Sequence, residues 1–109
     1  MAYDDTLADR VREALSGELG LTERRMFGGL AFMLDGHMCC GVVDSDLMLR
    51  LGPEGADDAL ERPHVRPMDF TGRPMSTMVF VEPAGLRGKA LLGWIDAAVR
   101  FVHSLPPKG

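Results

Sequence analysis

The sequence lacks the features that mark exported and membrane-spanning proteins. No basic segment followed by an apolar run occurs near its start, and no apolar stretch approaches the ~20 residues that cross a bilayer. Its only two cysteines, Cys39 and Cys40, are adjacent, whereas disulfides join residues at separated positions. We therefore expect a cytoplasmic protein without a disulfide framework.

Positive charge is also scarce. Lysine and arginine together number 12, against 16 aspartate and glutamate residues, which leaves a net charge of −4. Because nucleic-acid binding needs a net basic footprint, this balance argues against direct nucleic-acid binding. The length of 109 residues suits one domain with its own core, and we predict a single domain over residues 1–109.

Hydrophobic periodicity and turn residues predict three helices. The first follows the candidate N-caps Asp4 and Asp5 and ends at Ser16-Gly17, the second begins at Gly52-Pro53 and ends at Pro63, and the third runs from about Lys89 to Pro106. The apolar stripe of the third helix is either a buried core face or a face used for dimerisation.

Four strands are predicted between these helices. They cover about Arg25–Leu34 with a bend at Gly28-Gly29, then His37–Val43, Leu47–Leu51 and Thr77–Val81. Asp35-Gly36 is typical of a two-residue hairpin turn, and residues 64–75 are predicted to form an irregular loop with one short extended piece. The order α-β-β-β-α-β-α predicts an α+β domain, with helices packed on a small, mostly antiparallel sheet.

A histidine and two cysteines on the second strand are candidates for metal binding or catalysis. Alternation places His37 and Cys39 on one face and Cys40 on the other. A zinc site would need His64 or Asp69 as further ligands, and no Cys-x-x-Cys motif is present. A Cys39 nucleophile would need His37 or His64 as its base. The alternative is a packed strand whose thiols are small hydrophobic groups.

Arginine supplies a second candidate site, because the chain has ten arginines and two lysines. Guanidinium groups bind oxyanions through two parallel hydrogen bonds. The alternative is that these arginines pair with the abundant acids on a solvated surface. The predicted contact residues for an anion or a partner are Arg24, Arg25, Gly28, Gly29, Arg66, Asp69 and Arg73.

The eight methionines are a further unusual feature, because most of them fall on or near the strands. Methionine fills irregular gaps in cores and also serves adaptable binding surfaces. We interpret most of them as core residues, and Met68 and Met75 as candidates for a surface contact.

Several short motifs together resemble the N-terminal domain of the TfoX/Sxy family. They are Arg24–Gly29 (RRMFGG), Gly36–Cys39 (GHMC), Arg66–Phe70 (RPMDF), Gly72–Met75 (GRPM) and the final helix with Trp94. The similarity covers Tyr3 to Leu105. It implies an α+β fold like that of secretion chaperones. Members with two domains regulate natural competence together with a cyclic-AMP-dependent activator at promoters.

The resemblance brings no catalytic residue to this chain. With 109 residues the chain has no room for the second domain, so we expect a stand-alone N-terminal domain. We predict a non-enzymatic protein without a cofactor that acts through protein contacts, in transcription or competence regulation. A homodimer would form through the last helix or a sheet edge. The alternative is a ligand- or metal-binding module at Arg24, Arg25, His37 and Cys39.

Overall fold

The computed structural model describes residues 3–26, 28–70 and 73–106. For residues 26, 68–70 and 73–76 it describes the backbone alone. Three helices and six strands make up one α+β domain, which confirms the predicted fold class. The elements are α1 (Asp5–Ala14), β1 (Leu21–Met26), β2 (Gly29–Leu34), β3 (His37–Val43), β4 (Asp46–Arg50), α2 (Gly52–Leu60), β5 (Val65–Phe70), β6 (Arg73–Val81) and α3 (Ala90–His103).

The six strands form one antiparallel sheet in the order β1-β2-β3-β4-β6-β5. The predicted turn between β2 and β3 is confirmed: Asp35 and Gly36 have φ values of 51° and 84° and join the paired residues Leu34 and His37. Both central residues of a type I′ turn need positive φ, and this turn matches the twist of the flanking strands.

Two parts of the predicted strand pattern are wrong. The segment 25–34 is not one bent strand, because β1 and β2 form a hairpin that reverses between Met26 and Gly29. Residues 64–75 are not an irregular loop, since β5 and the first half of β6 pair with each other there. Pro67 disfavours a central strand, but β5 is an edge strand, where proline is tolerated.

The helices pack on one face of the sheet. The side chain of Asp4 caps α1 by accepting a hydrogen bond from the Leu7 amide at 3.1 Å. α3 buries five residues of its apolar stripe, so its interpretation as a core helix is confirmed: Leu91, Trp94, Ile95, Ala98 and Val102. Among the residues that the structure describes, no helix is both long and apolar enough to cross a membrane.

The start of α2 is fixed by close packing. Gly52 has a φ of +79°, and a Cβ atom at this position would lie 2.5 Å from the ring of Phe101 in α3. Only glycine satisfies both conditions without strain. The second helix therefore begins against the last one, which brings the helices together over the sheet.

Candidate functional site

The two cysteines lie in the same cluster of the core. The pairing of β2 with β3 passes from Phe32–Cys40 to Met33–Met38, so Cys39 is an extra residue in β3 that has no opposite residue in β2. Such a β-bulge interrupts the alternation of side chains between the two faces. Both thiols are fully buried and pack with the helix-facing residues. The prediction that Cys40 points to the other face is therefore wrong.

Neither cysteine has the surroundings of a nucleophile. The pKa of the Cys40 thiol is raised well above its ordinary value, first by a hydrogen bond with Cys39 and then by burial. Reactive cysteines need an accessible thiolate with a lowered pKa. The His37 ring, a predicted base, donates from Nε2 to the carbonyl oxygen of Pro106 at 2.8 Å. The geometry therefore does not favour the hypothesis of a catalytic Cys39.

The two candidate histidine ligands are far apart. His37 begins β3, whereas His64 precedes β5, three strands away in the sheet. At a strand spacing of about 4.8 Å the sideways separation alone is about 14 Å, too far for one metal ion. Over residues 3–26, 28–70 and 73–106, no three His, Cys, Asp or Glu side chains come together in a potential metal site.

The predicted arginine site is divided between the two edges of the sheet. Arg24 and Arg25 lie on β1, next to Gly28 and Gly29, whereas the other candidates, Arg66, Asp69 and Arg73, lie on β5 and β6. Five strand spacings, about 24 Å, separate the two edge strands. The side chains of Asp69 and Arg73, like those of Met68 and Met75, lie outside the described residues. A contact role for the group on β1, or for the group on β5 and β6, stays a prediction.

Arg66 already has partners within the protein. Its guanidinium forms an ion pair with Asp46, lies 3.8 Å from a carboxylate oxygen of Glu82 and stacks over the ring of Phe80, 4.4 Å from the ring centroid. These contacts join β5 to β4 and β6. Arg66 is therefore better explained as a structural residue than as an open anion site.

Arg24 and Arg25 are exposed, and neither has an ion pair in the described part of the chain. They point to opposite faces of the sheet, because Arg24 pairs with Ala31 and Arg25 with Leu30. Each is free to contact a partner, but the two guanidinium groups do not converge on one anion from the same face.

A charge pair that the sequence did not reveal fixes β1 against α1. Arg12 donates two hydrogen bonds to the Glu23 carboxylate, at 2.6 and 2.8 Å. This contact lowers the pKa of Glu23 and raises that of Arg12. Helix periodicity places Arg12 on an exposed face, so no pattern within α1 could identify its partner.

The face of the sheet opposite the described helices carries a methionine-rich cluster, called here the helix-free face. Its side chains all come from strands, with Ala31, Met48, Met78 and Phe80 buried at the centre and Met33, Met38 and Val43 partly buried around them. Arg24 lies on the same face, at its β1 end. The sequence showed many methionines, but their alignment on one face depends on strand order and register.

In the described part of the chain, two grooves lie between the helices. The larger, about 460 Å³, runs between α1 and α3 and is lined by Arg10, Glu13 and the exposed Leu92 among others. The smaller, about 230 Å³, lies between α2 and α3, where the guanidinium of Arg62 stacks 4.1 Å over the Trp94 ring. Arg10, in the wall of the first groove, donates a hydrogen bond to the carbonyl oxygen of Leu86 at 2.9 Å. Both grooves are open and shallow, unlike an enclosed ligand cavity.

Comparison with protein families gives a match over nearly the whole chain. The model of the TfoX N-terminal domain matches residues 7–102, from α1 to the last turn of α3. No curated protein and no solved structure matches the chain. The TfoX N-terminal domain family is not a known family of enzymes. The motifs around Arg24–Gly29 and Gly72–Met75 lie inside the matched range, and this chain belongs to the TfoX N-terminal domain family.

Proposed function

We propose that this chain is a non-enzymatic regulatory protein that binds a protein partner through the helix-free face of its sheet. Family membership supports a role in transcription or competence regulation, in line with the resemblance to two-domain members that act at promoters. The acidic net charge of −4 favours a protein partner over direct contact with nucleic acid.

The observation that carries the proposal is the composition of the helix-free face. Met33, Met38 and Val43 form a partly buried apolar rim around a methionine and phenylalanine centre. Methionine side chains adapt to irregular partner surfaces at small cost, which explains their use in adaptable binding sites. The adjoining Arg24 is exposed and favours a partner segment that combines apolar with acidic residues.

The alternative is a ligand- or metal-binding module around Arg24, Arg25, His37 and Cys39. The burial of Cys39 and the opposite orientations of Arg24 and Arg25 weigh against it. A specific rise in melting temperature with zinc or with inorganic phosphate would favour this alternative, because a ligand of the native state stabilises it by mass action.

The test is capture of partners from cell extract with immobilised protein. Met38→Gln replaces an apolar rim residue with a polar one of similar length, and Arg24→Glu reverses the adjoining charge. Leu92→Gln is the matched control for Met38→Gln, because Leu92 is 55% exposed on α3, on the other side of the molecule. Arg87→Glu controls for charge, since Arg87 is exposed and precedes Gly88, which lines the groove between α1 and α3 on the helix side of the sheet.

We expect the wild type and both controls to retain a transcription-associated partner that Met38→Gln and Arg24→Glu lose. Equal capture by all five proteins, or loss with Leu92→Gln instead, would contradict the proposed surface. Failure of the wild type to retain any transcription-associated protein would contradict the regulatory role.

A further inference from the structure

We propose that two copies of this chain join edge to edge through β1, in antiparallel orientation, with the two-fold axis at Glu23. β1 pairs only with β2, and no other described strand covers its outer edge. The opposite edge strand, β5, contains Pro67 and a shift in register after it. Proline and bulges protect edge strands from pairing, and β1 has neither.

The hairpin geometry decides which backbone groups of β1 face outward. Two residues lie between the paired residues Met26 and Gly29, and the pair that flanks a two-residue hairpin loop is joined by backbone hydrogen bonds. From this pair onward, hydrogen-bonded and non-hydrogen-bonded pairs alternate along β1 and β2. At the other end the Asp35 amide donates to the Gly20 carbonyl oxygen at 3.1 Å, which agrees with that alternation. Every second residue therefore directs its amide and carbonyl groups away from β2: Leu21, Glu23 and Arg25.

This pattern is self-complementary. A two-fold axis perpendicular to the sheet keeps the helix-facing side chains of both copies on the same side of the joined sheet. Residues directly opposite each other must then share a face, so the axis passes through a residue and not between two residues. With the axis at Glu23, Leu21 of one copy lies opposite Arg25 of the other, and Glu23 lies opposite its own equivalent. All three outward residues then pair, which gives about six backbone hydrogen bonds.

The number of backbone hydrogen bonds, and not charge, favours this register. Each of the two facing Glu23 carboxylates accepts two hydrogen bonds from Arg12 of its own copy. The charges across the interface between the copies therefore run Arg12, Glu23, Glu23, Arg12. Arg24 lies opposite Thr22, and Arg25 opposite Leu21. With the axis at Arg24 instead, Arg24 would face its own equivalent and Glu23 would lie opposite Arg25, but only Glu23 and Arg25 would pair through their backbone groups, which gives about four hydrogen bonds and not six.

The described helices leave room for a second copy beside β1. α1 packs over β3 and against α3, so the two copies of α1 would lie about five strand spacings apart, about 24 Å. α3 offers less to a dimer, because its apolar stripe is buried in the core.

The test is the mass of the protein in solution, measured by sedimentation or light scattering over a range of concentrations. Arg25→Pro removes an outward amide without removing a hydrogen bond to β2, and Arg25→Ala is its matched control because it keeps that amide. We expect the wild type and Arg25→Ala to reach twice the chain mass of 11.9 kDa, while Arg25→Pro stays at 11.9 kDa. Circular dichroism checks that each variant is folded.

Oxidative cross-linking tests the register and does not depend on the proline variant. Glu23→Cys should form a disulfide between two copies, whereas Arg24→Cys should not, and the native Cys39 and Cys40 are fully buried. A monomeric wild type, a dimeric Arg25→Pro variant, or cross-linking by Arg24→Cys alone would overturn the proposal. The outcome is separate from the partner experiment, because Arg25 and Met38 lie on different parts of the molecule and have different assays.

Discussion

Replacing Trp94 with alanine should destabilise the domain more than any surface change on α3. Trp94 is 6% exposed, and its indole N–H donates to the Gly85 carbonyl oxygen at 3.2 Å. Truncation of a buried tryptophan to alanine costs about 3–5 kcal/mol. Because the free energy of unfolding of such domains is only about 5–15 kcal/mol, Trp94→Ala should remove a large fraction of it.

Two further variants separate the contributions at this position. Trp94→Phe keeps most of the apolar volume but leaves the Gly85 carbonyl without its donor, so we expect a loss of about 1–3 kcal/mol. Arg62→Ala removes only the cation over the ring, at an exposed position, for which we expect about 0.5–1 kcal/mol.

The assay is urea denaturation followed by circular dichroism at 222 nm, since Trp94 is the single tryptophan and its replacement removes the intrinsic fluorescence signal. The expected ranking of destabilisation is Trp94→Ala, then Trp94→Phe, then Arg62→Ala. A loss below about 1 kcal/mol for Trp94→Ala would refute the assignment of α3 as a core helix. A change of oligomeric state with unchanged stability would point to a dimer face instead.

Four other perturbations have defined outcomes. Gly41→Ala should lower the free energy of unfolding by about 1–3 kcal/mol, because the new methyl group would lie 2.8 Å from a carbonyl oxygen of β2. Gly93→Ala in α3 should raise the free energy of unfolding by about 0.5–1 kcal/mol in the same denaturation assay, because the space around Gly93 is open. Glu23→Gln should lower the free energy of unfolding by less than about 1 kcal/mol at neutral pH, because its ion pair with Arg12 lies at the surface. Since the folded pKa of Glu23 is lowered from 4.5, the difference from wild type should be present above that pH and vanish as the pH falls through the lowered pKa. Cys39 and Cys40 should react with a thiol reagent only in denaturant, and rapid labelling of the native protein would contradict their burial.

The elements with strong local signals could be predicted from the sequence. The Asp35-Gly36 turn, the Asp4 cap, the Gly52-Pro53 helix start and the apolar stripe of α3 each follow from a few neighbouring residues. They also fix the fold class, because short turns make neighbouring strands antiparallel and the helical stripes need a sheet to cover.

The arrangement of the candidate site could not be predicted because it depends on long-range pairing. Strand order places Arg24 and Arg66 at opposite edges, although sequence proximity to glycine and proline motifs suggested one cluster. The bulge at Cys39 turns both thiols into the core, and no local signal distinguishes it from a regular strand. Met33 and Met48 share a face only because two hairpin registers align them.

Site-specific photo-crosslinking in cells identifies the side of the domain that contacts a partner. A photoreactive amino acid at Met38 on the helix-free face, compared with the same group at Leu92 on α3, reports which side of the domain contacts a partner. We predict a cross-link to a transcription-associated protein from position 38 and none from position 92. Cross-linking from position 92 alone, or from neither position with normally folded protein, would contradict partner binding through the helix-free face.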